Sequence, residues 1–494
     1  MDDSDERSDA RPIALDSPAG RWLLAVAILG SAVAQIEATV VSVALPAIGA
    51  ELDAGIAGLQ WVLNGYLLTL ASLILLGGSL GDRLGRRRIF VTGVGLFTVT
   101  SLVCAVAPNI EALIAGRALQ GVGGALLTPG SLAMLEALLR PQDRAKAIGA
   151  WSALLGVAAA IGPLLGGWLV EYSWRWIFVI PVPLGVFVAV VGLSKIPESR
   201  DESATGPVDR WGAVLATLAL GGLTFALVQA ETAPVAAVVA AVVGAGAAVA
   251  FVVVERRQPS PMMPLDIFSS RQFSAANAIT FVVYAALGGV FFLLVVFLQT
   301  SLGYTPLQAG AASLPITVVM LALSSSAGAL AQRIGPRWPL TVGPATIAAG
   351  MLLMLRIEPG SAYLTDVLPA VIVFGLGLAA TVAPVTATVL AAVEERRAGV
   401  ASGVNNAVAR TAQLAAVAAL PLAVGLTGEE YADPVALTDA FHLAMVLTAG
   451  LSLAGGVIAA FTIRADVLHD EPCQHHVHCA VAGPPPREST ATRA

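Results

Sequence analysis

Glu37, Arg117 and Arg410 stand inside stretches that are otherwise apolar: IEATVVSVALP (36–46), RALQGVGGA (117–125) and RTAQLAAVAAL (410–420). A charge at the centre of a bilayer costs about 2.5–3.5 kcal/mol or more, so such groups are paired, neutralised or turned toward a wet cavity. Counted from Leu23, Glu37 lies about 14 residues, or ~21 Å, along its span, and Arg117 lies about 6 residues, or ~9 Å, inward from the far end of its own. In a core of ~30 Å the two side chains share one depth. Oil favours the neutral acid, and a neighbouring guanidinium favours the ionised one. A carboxyl balanced between them can take up and release a proton as a cavity opens and closes. The alternative is a static ion pair that pins two helices together.

Arg410 lies about 11 residues, or ~16 Å, into its span, near the midplane. No acid stands within the apolar spans of the chain's second half to neutralise it. It would meet a backbone carbonyl, a partner on the first half, or an anionic group on a substrate. Gln35, Asn64, Gln120, Asn277, Gln299, Asn405, Asn406 and Gln413 could line a cavity, or serve as interhelical hydrogen-bonding glue.

The elements that hold these residues follow from composition. Apolar residues make up 57% of the chain and charged residues only 12%, too few to cover the surface of a water-soluble protein of 494 residues. The apolar residues come in blocks of about 20, the length of a membrane-crossing helix. A barrel would show short alternating segments instead. Fourteen spans are expected, roughly at 22–44, 59–79, 89–107, 111–135, 146–170, 176–194, 211–229, 234–254, 274–300, 309–331, 339–356, 367–390, 399–424 and 440–462. Alternate loops carry the basic residues (Arg83/Arg86/Arg87/Arg88, Arg140/Arg144/Lys146, Lys195/Arg200/Arg210, Arg256/Arg257/Arg271, Arg333/Arg337, Arg396/Arg397), and the opposite loops offer little beyond Arg175 and Arg356. The positive-inside rule makes the basic set cytoplasmic, with both termini on that side of a multi-pass plasma-membrane protein. Trp22, Trp61, Trp174, Trp176, Trp211 and Trp338 fall at span ends, as an aromatic belt would.

The formal net charge of −6 hides no basic stripe of nucleic-acid type. No GxxxxGK[ST] phosphate loop, metal cluster within the spans or nucleophile motif is present, which argues against an ATP-driven pump or an intramembrane enzyme and calls for no cofactor. The acidic start (residues 1–21) is expected to be a cytoplasmic tail without a cleavable signal. The end, 463–494, is expected to be disordered. Its HDEPCQHHVHC run brings Cys473, His475, His476, His478 and Cys479 together, ligand types for a soft metal in a spacing that matches no zinc motif. Cys104 reads as a small hydrophobe.

One repeat is visible. GGSLGDRLGRRRIF (77–90) follows the second span and GALAQRIGPRW (328–338) follows the tenth, aligning Gly78, Leu80, Arg83 and Gly85 with Gly328, Leu330, Arg333 and Gly335. The repeat divides the chain into a six-helix bundle (22–194), a linker with two inserted helices (195–273) and a second six-helix bundle (274–462), the halves being parallel copies. Asp82, Arg83, Gly85, Arg86 and Arg87 could turn tightly and pair with helix ends on the facing half, latching the cytoplasmic side, with Arg333 and Gly335 as a weaker second latch that has Gln332 in place of Asp82. The plainer alternative is that these arginines only set topology. Gly162, Pro163, Gly166 and Gly167 give the fifth span a kink and a flat face for packing against the other half.

These motifs resemble the major facilitator superfamily, and within it the fourteen-helix drug:proton antiporter branch. GGSLGDRLGRRRIF resembles the superfamily's signature between helices 2 and 3, AIGPLLGG (160–167) the antiporter signature of helix 5, RALQGVGGA that of helix 4 and IEATVVSVALP that of helix 1. Two departures stand out: Glu37 replaces the branch's usual Asp, and the glycines usual after Arg410 are missing. The resemblance implies an all-α polytopic fold and a monomeric, proton-coupled antiporter that exports small lipophilic compounds such as drugs or antibiotics by alternating access. It also implies that Glu37 and Arg117 take part in the coupling. The alternatives are export of an endogenous metabolite or lipid, or a non-transporting sensor on the same fold.

Overall fold

The computed structural model describes residues 12–201, 206–394, 397–426, 431 and 433–468; the His/Cys run of 469–479 and the first eleven residues lie outside them. In hydrocarbon every backbone amide must bond within its own segment, so apolar blocks of this length have one solution. The described residues form fourteen long helices: α1 (Pro18–Leu52), α2 (Ile56–Leu84), α3 (Arg86–Ala105), α4 (Ile110–Leu138), α5 (Pro141–Val170), α6 (Trp176–Lys195), α7 (Arg210–Val228), α8 (Pro234–Arg257), α9 (Arg271–Thr300), α10 (Pro306–Ile334), α11 (Arg337–Arg356), α12 (Tyr363–Ala391), α13 (Ala398–Ala423) and α14 (Pro434–Thr462). Thirteen of them are apolar enough to cross a membrane; α13 falls short because it carries Ser402, Asn405, Asn406, Arg410 and Gln413.

The helices overrun the expected spans. With 35 residues α1 is about 52 Å long, so it continues past the hydrocarbon at both ends. Caps fix the starts. Ser17, Asn109, Asp209, Ser270, Thr305 and Asp433 each accept a backbone N–H of the first turn, and proline opens α1, α5, α8 and α14. Three helices are interrupted where periodicity gave no warning: α6 at Ile180, before Pro181; α10 at Ser313, between Pro306–Ala312 and Leu314–Ile334; and α12, which opens with a π-helical turn over Tyr363–Val367.

Packing sorts the helices into groups. In the first, α1 lies against α4, α5 and α6, and α4 lies against α2 and α3. In the second, α9 lies against α13 and α14, and α12 against α10 and α11. The groups meet along α2–α13, α5–α10 and α1–α9, while α7 rests on α2 and α13 and carries α8 on its far side. Gly222 of α7 crosses Gly244 of α8 so closely that a Cβ at either would meet backbone at 2.9 Å or less.

The aligned glycines of the repeat have matching conformations. Gly85 and Gly335 both take positive φ (115° and 82°), which turns the chain between α2 and α3 and between α10 and α11. Each turn also docks on the strand of chain just past its group's last helix: a Cβ on Gly85 would strike the Glu198 carboxylate, and one on Gly335 the Ala465 carbonyl.

One belt residue is misplaced by sequence reading. Trp174 is 2% exposed, its Nε1 donates to Glu51 at 2.7 Å, and Arg175 covers its ring at 4.3 Å. A neighbouring acid and arginine made a core position of what spacing offered to the interface. Trp22, Trp176, Trp211 and Trp338 are exposed.

At the basic end of the inserted pair, Asp209 caps α7 through Gly212 (2.7 Å) and receives the Gln258 amide (2.8 Å) and the Met262 N–H (3.2 Å). Burial alone would raise its pKa, but these bonds and the Glu255 carboxyl beside it outweigh burial and hold it below the usual aspartate value. Asp209→Ala should therefore cost about 1 kcal/mol or more at neutral pH, read as a lower unfolding temperature in detergent, with Asp209→Asn recovering part of it. The wild-type advantage should be full above the ordinary aspartate range and fade as pH falls below it.

Candidate functional site

The helix-1 acid and the helix-4 arginine meet. Arg117 Nη1 lies 3.2 Å from Glu37 Oε1, and the two side chains are 1% and 0% exposed. The pair points into the first helix group. Arg117 Nε donates to the Val62 carbonyl of α2 at 3.1 Å, Nη1 also donates to Gln120 Oε1, and Gln120 passes the chain on to Ser101 of α3 at 2.7 Å. The guanidinium lies over the Tyr66 ring at 4.5 Å and near Phe178 of α6 at 5.9 Å. These bonds are unequal in a way that matters chemically. Arg117 has a carbonyl, an amide and two aromatic faces besides the acid. Glu37 has only Arg117, and its Oε2 makes no hydrogen bond among the described residues. Neutralising Glu37 leaves Arg117 held; removing Arg117 strands a carboxylate.

A cavity of about 270 Å³ lies between the groups, lined by Gln35 of α1, Tyr284 of α9, Thr386, Val389 and Leu390 of α12, and Ser402, Asn405, Asn406, Ala409, Arg410 and Gln413 of α13. It runs from mid-membrane toward the basic-loop ends of α12 and α13. At the opposite end the groups are closed. Gln299 donates to the Val43 carbonyl (3.0 Å) and Gln60 to that of Val417 (2.7 Å), each bond crossing from one group to the other. Gly167 is pressed on Pro306 and Leu307, and Gly310 on the Pro163 carbonyl.

Of the expected cavity residues, Gln35, Asn406 and Arg410 line this space. Asn405 does too, and bonds Asn277 (3.2 Å) and Thr280 (2.9 Å) of α9. Gln299 closes the far end, Gln120 belongs to the Arg117 network, and Asn64 is fully buried with neither amide atom bonded. Glu37 is one helix face behind Gln35, not on the cavity wall. Tyr66 of α2, also absent from the cavity wall, lies under the Arg117 guanidinium. Sequence reading passed over Tyr66, Ser101 and Tyr284; the signal available was a tyrosine at mid-span, away from the interfaces where such rings usually sit.

In this conformation, closed at the opposite end, the ion pairs of the loop signature among the described residues stay outside the second group. Arg86 pairs with Asp82 (2.9 Å), Arg87 with Glu198 (3.6 Å), and Arg83 donates to the Gly206 carbonyl. Arg87 and Arg83 are thus turned onto the chain that follows α6, while Arg86 stays within the loop. The helix-5 signature also divides its faces. Gly162 and Gly166 receive Thr39 and Val40 of α1, inside the same group, while Gly167 and the Pro163 carbonyl meet α10 of the other. The glycines missing after Arg410 are supplied from across the interface: Gly288 of α9 lies against the Gln413 backbone, where a Cβ would come within 2.9 Å of Cα.

Residues 27–417 match the model of the Major Facilitator Superfamily. The chain belongs to this superfamily. It is 36% identical over 377 residues to the multidrug resistance protein Stp of Mycobacterium tuberculosis (75% of this chain, 70% of that one) and 34% identical over 462 residues to the puromycin resistance protein pur8 of Streptomyces alboniger (91% of each). The tetracenomycin C resistance and export protein of Streptomyces glaucescens is 35% identical over 395 residues, 78% of this chain and 72% of that one. Among solved structures, an inward-facing bacterial homologue of the human lysosomal transporter Spinster superposes with a TM-score of 0.64 at 16% identity (90% of this chain, 98% of that one), and a D-xylose–proton symporter with 0.60 at 14% (90% and 98%). These structural likenesses concern the fold.

The unequal bonding of the superfamily pair yields a stability test. Arg117→Gln should lower stability by about 3–5 kcal/mol, the range for breaking a buried ion pair from one side. Glu37→Gln should cost less, and adding it to Arg117→Gln should recover part of the loss. Thermal unfolding of the four members of the cycle in one detergent measures this; independent losses that simply add would contradict the geometry.

Proposed function

We propose that this superfamily member is a proton-coupled antiporter of the fourteen-helix branch that exports small lipophilic compounds by alternating access, acting as a monomer in the plasma membrane. The observation that carries the reading is the Glu37 carboxyl: buried, paired with Arg117, with Oε2 unbonded among the described residues, and one helix face away from the inter-group cavity. Loss of its charge leaves Arg117 with Val62 and Gln120, so both protonation states fit the same packing.

The rest follows from rocking of two six-helix halves, 22–194 and 274–462, with 195–273 as an inserted unit. The bonds at the end away from the basic loops (Gln299 to Val43, Gln60 to Val417, Gly167 on Pro306) break when that end opens. The basic face is cytoplasmic, as its arginines favour, and both termini lie there. The loop signature, here turned onto 196–206, is then free to engage the second half when the cytoplasmic side closes. Export rather than uptake is supported by the names of the relatives as resistance proteins and by the helix-5 sequence GPLLGG. Substrate enters from the cytoplasm or inner leaflet, Glu37 loses its proton inward, and reprotonation from outside resets the carrier.

The test is efflux from proteoliposomes under an imposed pH gradient. Glu37→Gln should fold and bind substrate while its efflux loses all response to the gradient, and Glu37→Asp should retain a response. Gradient-driven efflux at the wild-type rate in Glu37→Gln would end the coupling assignment.

A further inference from the structure

We infer that the inter-group cavity is built for organic acids: amphipathic molecules with one anionic group, in preference to the lipophilic cations that an acid-lined carrier would take. The inference rests on the transporter reading and narrows its substrate class.

The cavity wall holds one formal charge, and it is positive. Among the described residues, the only polar bond of Arg410 is to Gln413 Oε1, at 3.1 Å and one helical turn away; it has no carboxylate partner. The four helices around the cavity give no other answer to this charge. Alpha-1, α9 and α12 contribute Gln35, Tyr284 and Thr386 to the wall, all neutral, and no Asp or Glu lines it. The one buried acid nearby, Glu37, faces away and is already paired with Arg117. A guanidinium near mid-membrane with a single neutral partner is costly, and its five N–H donors are largely unspent. An arginine that only needed capping would bond backbone carbonyls, as Arg117 and Arg175 do in this protein.

The neighbouring groups extend the same recognition. Gln35, Asn406 and Ser402 can donate to a carboxylate or sulfonate, while Val389, Leu390 and Ala409 give an apolar flank to the rest of the molecule. A fixed cation in a low-dielectric wall attracts an anion and repels a cation of the same skeleton, so selectivity comes from both signs at once.

The experiment uses the full chain in nanodiscs and three probes on one skeleton: 2-naphthoate, 2-naphthalenemethanol and 2-naphthylmethylammonium. Wild-type protein should bind the carboxylate about tenfold or more tighter than the ammonium compound. In Arg410→Gln the carboxylate-to-alcohol affinity ratio should fall by about tenfold or more, and Arg410→Lys should restore part of it. Matching unfolding temperatures for the three proteins, with the ratio changed, set recognition apart from a folding defect. Tighter binding of the ammonium probe, an unchanged ratio in Arg410→Gln, or no binding of any probe would each overturn the inference. Proteoliposomes separate it from the transporter reading. Gradient-driven flux without the acid preference would remove only the substrate class. Acid preference in binding, with no gradient-driven flux of any probe, would remove the exporter and leave the site.

Discussion

Placing a carboxylate and a guanidinium where neither has water constrains most of what surrounds them. Each ion loses far more hydration than a single contact at 3.2 Å returns, so the pair survives only inside a shell of further partners. That shell recruits one element after another: the Val62 carbonyl from α2, Gln120 from the same turn of α4, Ser101 from α3, and the rings of Tyr66 and Phe178 from α2 and α6. Five of the six helices in the first group are thereby committed to one polar centre. The close approach of α2, α3 and α4 is made with glycines: Gly121 against Tyr66, and Gly93 against Gly123 and Leu127. Small residues at these crossings bring the backbones near enough for short polar side chains to reach.

Much of this was legible in the chain and some was not, for identifiable reasons. Depth along a helix is a count of residues, so Glu37 and Arg117 could be set at one level before any packing was known. Facing is a different quantity. At 100° per residue an uncertainty of two or three residues at a span end rotates a side chain to another neighbour, and Glu37 and Gln35 exchange the core and the cavity over that distance. The same ambiguity divided the helix-5 glycines between α1 and α10. Interruptions such as Ser313 in α10 and the π turn of α12 arise from tertiary packing and leave no mark in hydropathy. The missing glycines after Arg410 illustrate a further limit: close approach needs one small residue per contact, and either helix can supply it, here Gly288.

The repeat is clearer in three dimensions than in the letters. Few positions align between GGSLGDRLGRRRIF and GALAQRIGPRW, yet both turns use a positive-φ glycine and both abut the chain leaving the sixth helix of their group. What the copies do not share is the acid of the loop. The first carries Asp82 bonded to Arg86 and a Glu198 bonded to Arg87; the second presents Gln332 and a backbone carbonyl at Ala465. Backbone geometry is needed at both turns to reverse the chain, whereas an ion-pair network is needed only where a contact must form and break at moderate cost.

Two arginines of like depth are thus used in opposite ways. Arg117 is saturated: an acid, a carbonyl, an amide and two rings fix it, and nothing remains for a ligand. Arg410 is nearly bare and stands on the wall of a cavity between the groups. The two roles do not compete: the first group commits its arginine to holding Glu37, and the second keeps its own for the space between the groups.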